Sequence, residues 1–190
     1  QWTAQVEEYA RAGRAAAALP NWLEVTSGLE PLFAETSGEK PIAAVLNKIS
    51  ASSFTESELA EAAARACGAG GGELLLTAFL RALAQETKRE QIGVLMEGHG
   101  RTTLQAELDL SRTAGWFTNV WPTVFKITSG LAGLDQLAAV KDTAREAAAR
   151  GFDYSVLRYV DNSAAGAELR ARAEPDLVFN YLGDFDQPES

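Results

Sequence analysis

The sequence predicts an α/β fold, a layered lobe in which helices cover a sheet. Two observations carry that expectation. Apolar runs of strand length, at 91–97, 121–128 and 177–182, are separated by longer stretches with apolar residues at helical spacing. The composition, 46% hydrophobic and 23% charged over 190 residues, suits one domain or one large lobe with a real core.

In chain order, the stretch from Val6 to Leu19 is rich in Ala, Glu and Arg and predicts a helix closed by Pro20. Trp2, Val6, Tyr9 and Ala10 form its buried stripe. Residues 26–40 predict a connector, and 41–50 a strand with Ile42, Val45 and Ile49 as its apolar members. Thr55 and Glu58 have the spacing of a capping box, opening a helix that ends at Gly68. The run Ala69-Gly70-Gly71-Gly72 predicts a flexible turn, and with no Lys-Ser/Thr after it, it is not a phosphate loop.

Residues 73–86 predict a helix apolar around much of its girth, through Leu74, Leu75, Leu76, Phe79, Leu80 and Leu83, and therefore buried between layers. Gln91 to Glu97 and Trp121 to Thr128 predict buried strands. Leu131 to Arg150 predicts a long amphipathic helix presenting Leu134, Leu137, Val140 and Ala144, while Tyr154 to Val160 suits either helix or strand. Leu177 to Leu182 closes the set as a strand.

A net charge of −9, with no cluster of Lys and Arg, argues against a nucleic-acid partner, whose phosphates need a basic stripe. No apolar run approaches the roughly 20 residues that cross a bilayer, and no signal peptide is visible, so no membrane role is expected. Cys67 is the one cysteine and His99 the one histidine, so neither an intrachain disulfide nor a metal site is expected. A reducing cytoplasm fits that usage.

Three stretches place chemistry at strand ends. Glu97-Gly98-His99-Gly100-Arg101 follows an apolar strand, and a carboxylate leaving such a strand should feel desolvation, which favours acid/base duty. The structural alternative is a turn with Glu97 paired to Arg101. Ser111 to Thr118 brings Trp116 and Phe117 close to Trp121-Pro122, as core packing or as a pocket wall. Phe179 to Asp186 offers the Asn180 amide and the Tyr181 phenol on the final strand.

In this order the three stretches resemble the signature motifs of epimerization domains in nonribosomal peptide synthetases, members of the condensation-domain superfamily. Arg112 to Thr118 is similar to the family's Arg-Thr-x-Gly-Trp-Phe-Thr segment, and Phe179 to Asp186 to its Phe-Asn-Tyr-Leu-Gly-x-Phe-Asp segment. Glu73 to Ala78 resembles its leucine-rich helix, and Trp2 to Trp22 the helix opening its second lobe. The sequence departs from the family at Thr102, where an acidic residue is usual. It departs also along Pro-x-x-Gly-x-Gly-Tyr-Gly, of which Gly151 and Tyr154 remain, with Ala148, Asp153 and Ser155 in the other places.

The resemblance implies that residues 1–190 are the C-terminal lobe of a two-lobed sandwich like chloramphenicol acetyltransferase, with a mixed sheet covered by helices. It further implies that the N-terminal lobe, with its His-His-x-x-x-Asp-Gly motif, and the extreme C-terminal segment are missing. The implied activity inverts the Cα of an aminoacyl or peptidyl thioester, L to D. That substrate is tethered to the 4'-phosphopantetheine of a peptidyl carrier protein, the implied partner, and no cofactor is bound directly. Glu97 and Tyr181 are the implied catalytic residues, and Asn180, His99, Arg101 and Trp116 position the substrate. Without the first lobe's histidine the fragment alone should be inactive. A peptide-bond-forming condensation domain and a non-catalytic lobe that docks carrier proteins are the alternatives.

Overall fold

The computed structural model describes residues 1–32, 62, 65–101, 104, 109–110 and 112–181. In order come α1 (Trp2–Arg11), a 3-10 turn (Arg14–Ala18), α2 (Leu19–Ser27), α3 (Gly71–Thr87), β1 (Gln91–Gly98) and β2 (Asn119–Lys126). Then follow α4 (Gly133–Tyr159), α5 (Ala164–Arg170) and β3 (Val178–Phe179). The strand order is β2-β1-β3, with β1 antiparallel to β2 and parallel to β3. This is the mixed, helix-covered sheet of the expected α/β class.

Alternation along the strands assigns the two faces. Ile92 and Val94 of β1 and Phe125 of β2 are fully buried with Leu76 and Leu80 of α3 and Val140 of α4. Burying each such aliphatic side chain is worth about 1.5–3 kcal/mol, which seats both helices on this face. A second core joins α1, α2, α4 and α5 through Trp22, Trp121, Tyr154, Leu157 and Leu169. Trp121 lies flat against Gly151 of α4, where any Cβ would overlap the indole ring. Gly151 is therefore a packing requirement inside a helix, where glycine otherwise costs about 1 kcal/mol against alanine.

Helix α4 is longer than expected and absorbs the ambiguous stretch after Arg150. Its stripe of Leu137, Val140, Ala144, Ala147, Gly151, Tyr154 and Leu157 continues at spacings of three and four without a break. The turn before it is pinned by the buried Gln136, whose amide donates to the Lys126 carbonyl and accepts from the Thr128 N–H, both at 3.0 Å.

Four expectations need correction. The helix expected over 6–19 is two helices and a turn, because α1 stops before Gly13, which adopts φ 66. Pro20 opens α2 rather than closing a helix, since the first turn has no N–H partner to lose. Helix α3 is buried on one face only: Leu75 and Phe79 are exposed, as is Leu134 at the start of α4. Gly71 and Gly72 are the first residues of α3 rather than a flexible turn, and the Glu73 carboxylate accepts from the Gly70 N–H at 2.8 Å to cap it. The expected strand at 41–50, the Thr55–Glu58 pair, residues 33–40 of the connector, Thr102, Ser111 and Leu182 to Asp186 lie outside the described residues. Among the described residues no helix is long and apolar enough to cross a membrane.

Candidate active site

The sheet topology gathers the three motif stretches at one end. Gly98, the last residue of β1, pairs with Asn119, the first of β2, so residues 112–118 enter beside the turn that leaves β1. Strand β3 runs parallel to β1, with Leu95 opposite Val178 and Met96 opposite Phe179. Its outgoing residues, Asn180 and Tyr181, therefore emerge at the same end.

At this end Glu97 and Asn180 meet. The Asn180 amide Nδ2 donates to Glu97 Oε2 at 2.7 Å, across 83 residues of sequence. The register explains the contact: Leu95 and Val178 share one face of the sheet, and Glu97 and Asn180 are each two residues further on. That face is opposite the one covered by α3 and α4. Glu97 is half-buried and Asn180 exposed.

Arg101 does not pair with Glu97. Its guanidinium donates to the carbonyls of Leu110 (2.6 Å) and Thr113 (2.9 Å) and stacks on the Phe117 ring, 4.3 Å from its centroid. It thus clamps the segment leading into β2. Gly100, at φ 60, lies so close to the Phe117 carbonyl that no side chain fits there. His99 is exposed, and its Nδ1 accepts from the Arg101 N–H at 3.3 Å. Trp116 is 91% exposed and lines a cleft of about 300 Å³ with Trp2, Phe117, Phe152 and Tyr159.

Tyr181 sits apart from Glu97. Its ring lies against the first turn of α3, with the hydroxyl 3.1 Å from where a Cβ on Gly71 would begin. That turn belongs to the helix-covered side of the sheet. Among the described residues no group of three His, Cys, Asp or Glu side chains gathers as a metal site would require.

The departures at Asp153 and Ser155 have structural partners. The Asp153 carboxylate accepts from the Tyr9 hydroxyl at 2.8 Å, tying α1 to α4; burial first, then this bond, pushes the Tyr9 phenol up to about 12. Ser155 Oγ accepts from the Val120 N–H at 3.1 Å and donates to the Val120 carbonyl at 2.8 Å, closing the outer edge of β2. Val120 is the residue opposite Glu97. Tyr154 is fully buried and donates to Glu174 at 2.8 Å; burial chiefly, and that carboxylate next, raise its phenol far above the ordinary range. Sequence reasoning missed Glu174 altogether, because nothing in its neighbourhood marks it.

A family model, Condensation domain, matches residues 3–190. A linear gramicidin synthase of Brevibacillus parabrevis is 36% identical over 119 residues, covering 62% of this chain and 2% of that protein. Bacitracin synthase 2 of Bacillus licheniformis is 33% identical over 139 residues, 73% of this chain and 5% of its own length. The chain therefore spans a small part of the curated proteins it matches. Among solved structures, the epimerization domain from the third module of tyrocidine synthetase B superposes with a TM-score of 0.71 at 25% identity, covering 98% of this chain and 43% of that one. The first condensation domain of the calcium-dependent antibiotic synthetase, with a substrate analogue, gives 0.67 at 17% identity over 90% of this chain and 36% of its own.

Proposed function

This chain belongs to the condensation-domain family, and from that premise we propose that it supplies one wall of an epimerization site in a nonribosomal peptide synthetase. The substrate is an aminoacyl or peptidyl thioester on the 4'-phosphopantetheine of a peptidyl carrier protein. The Cα proton leaves one face and a proton returns to the other, so composition is unchanged and only configuration inverts.

The observation that carries this reading is the Glu97–Asn180 hydrogen bond at the end of the sheet. A carboxylate paired with an arginine is spent on structure, whereas Arg101 is engaged elsewhere and Glu97 is held by a neutral amide. The amide fixes one oxygen and leaves the other as a proton acceptor, the geometry a general base needs. The similarity to the tyrocidine epimerization domain over 98% of the chain supports the same assignment.

In this proposal Glu97 exchanges the Cα proton, and a histidine of the first lobe serves the opposite face. Asn180 orients Glu97. Tyr181, against the first turn of α3, places the pantetheine arm. His99 and Arg101 shape the turn beneath the site, and Trp116 faces the bound substrate. The match to a condensation-domain model keeps peptide-bond formation as the second reading.

The two separate in one assay. The domain that includes both lobes is given an L-aminoacyl or L-peptidyl carrier protein, and the released residue is resolved by chiral chromatography. An L/D mixture is the expected result; unchanged L residue, with peptide product once a second loaded carrier is added, supports condensation instead.

A further inference from the structure

We infer that Glu174 is a positioning residue for the Glu97–Asn180 pair, acting through the strand β3 that carries Asn180. Strand β3 is two residues long and pairs with β1 at two positions only. Just before it, the Leu177 carbonyl accepts from the Leu95 N–H at 2.7 Å. Leu177 and Phe179 pack against the buried cluster of α3, β1 and β2, which helps to seat so short a ladder, and the chain just upstream is held as well.

Glu174 lies just before that strand and gathers three donors from the end of α4 on a single oxygen, Oε1. The Tyr154 hydroxyl donates at 2.8 Å, the Tyr159 hydroxyl at 2.9 Å, and Arg158 Nε pairs at 3.2 Å. Arg158 also donates to the carbonyls of Leu169 and Arg172, so the same guanidinium holds the segment between α5 and β3. Tyr154 is immobilised by burial and by an edge-on contact with Trp22, 5.1 Å between centroids. Two residues beyond Glu174, the Asp176 carboxylate accepts from the Leu32 N–H at 3.0 Å. From this anchored segment the chain runs straight into β3 and Asn180.

Hydrogen bonds to an ionised carboxylate are roughly twice as strong as neutral ones, so charge on Glu174 is what makes the anchor rigid. Nothing in the cluster touches Glu97 or the substrate face; its effect on chemistry is through the placement of Asn180.

The test uses the domain that includes both lobes, with Glu174→Gln and, as the milder change, Tyr154→Phe. Only its kinetic arm rests on the epimerase reading. Backbone amide exchange followed by mass spectrometry should rise about tenfold in peptide 174–181 of Glu174→Gln, the equivalent of one lost bond to a charged group, while peptide 119–126 stays unchanged. The rate constant for Cα exchange should fall with KM for the loaded carrier unaltered. Combining Glu174→Gln with Asn180→Ala should slow the reaction no further than Asn180→Ala alone. Unchanged exchange in peptide 174–181 for both variants overturns the inference, as does an equal rise in peptide 119–126, which marks general loosening. A native domain with no Cα exchange defeats the epimerase reading instead, and the amide-exchange comparison still decides the role of Glu174.

Discussion

Two faces of one strand differ in what they do. Ile92 and Val94 of β1 point into the helix layer and are fully buried beside Leu80, Phe125 and Val140. Leu95 and Glu97, on the other face, are only half-buried, and their neighbour Val178 on β3 is 58% exposed. One face is closed by apolar packing. The other is partly open and presents a carboxylate held by an amide. Alternation along one strand thus delivers a polar side chain, Glu97, to a face that α3 and α4 leave uncovered.

The largest effect that sharpens this contrast is on the closed face. Leu80→Ala should destabilise the fold by about 2–5 kcal/mol, because the emptied volume lies between α3 and the sheet with little room to collapse. Trp116→Ala, at the open end, should change stability by less than about 0.5 kcal/mol, because its indole is exposed. Urea midpoints of the two variants measure the pair, and comparable losses would break the distinction between the faces.

A smaller effect concerns the side chains that tie the helices together. The Tyr9 phenol is raised to about 12 in the folded chain and sits near 10 when unfolded. Its contribution is therefore fully present below pH 10, and it is lost as pH climbs through 10 towards 12, where the unfolded state releases its proton first. The urea midpoint of the native chain should fall over that window, and Tyr9→Phe should flatten the fall. A fall of unchanged steepness in the variant would remove Tyr9 from the account.

Much of the closed face is legible in the sequence. Strand β1 matches its expected span because its apolar run has strand length and ends in a Gly-His-Gly turn. Helix α4 is legible in its first half, and its second half less so, because Gly151 and the aromatic Tyr154 interrupt helical propensity until Trp121 is seen packing on them. The early helix is misread because the alanine-rich run on either side masks Gly13, whose left-handed φ just past the C-cap of α1 ends the helix there. At the candidate site, the motif order locates Glu97 and Asn180. Their mutual hydrogen bond is invisible in the sequence, since it depends on the parallel pairing of a two-residue strand 83 positions away. The partners of Arg101 and the cluster on Glu174 are likewise products of tertiary packing, with no local pattern to betray them.

The most direct test of the central claim is Cα hydrogen–deuterium exchange of a carrier-bound thioester in D₂O, run on the domain that includes both lobes, native and Glu97→Gln. If Glu97 exchanges the Cα proton, the native domain shows exchange and the variant loses about 10²–10⁴-fold, the range for one acid/base group, with the urea midpoint little changed. Equal exchange in both proteins would contradict that claim and take Glu97 out of the proton path.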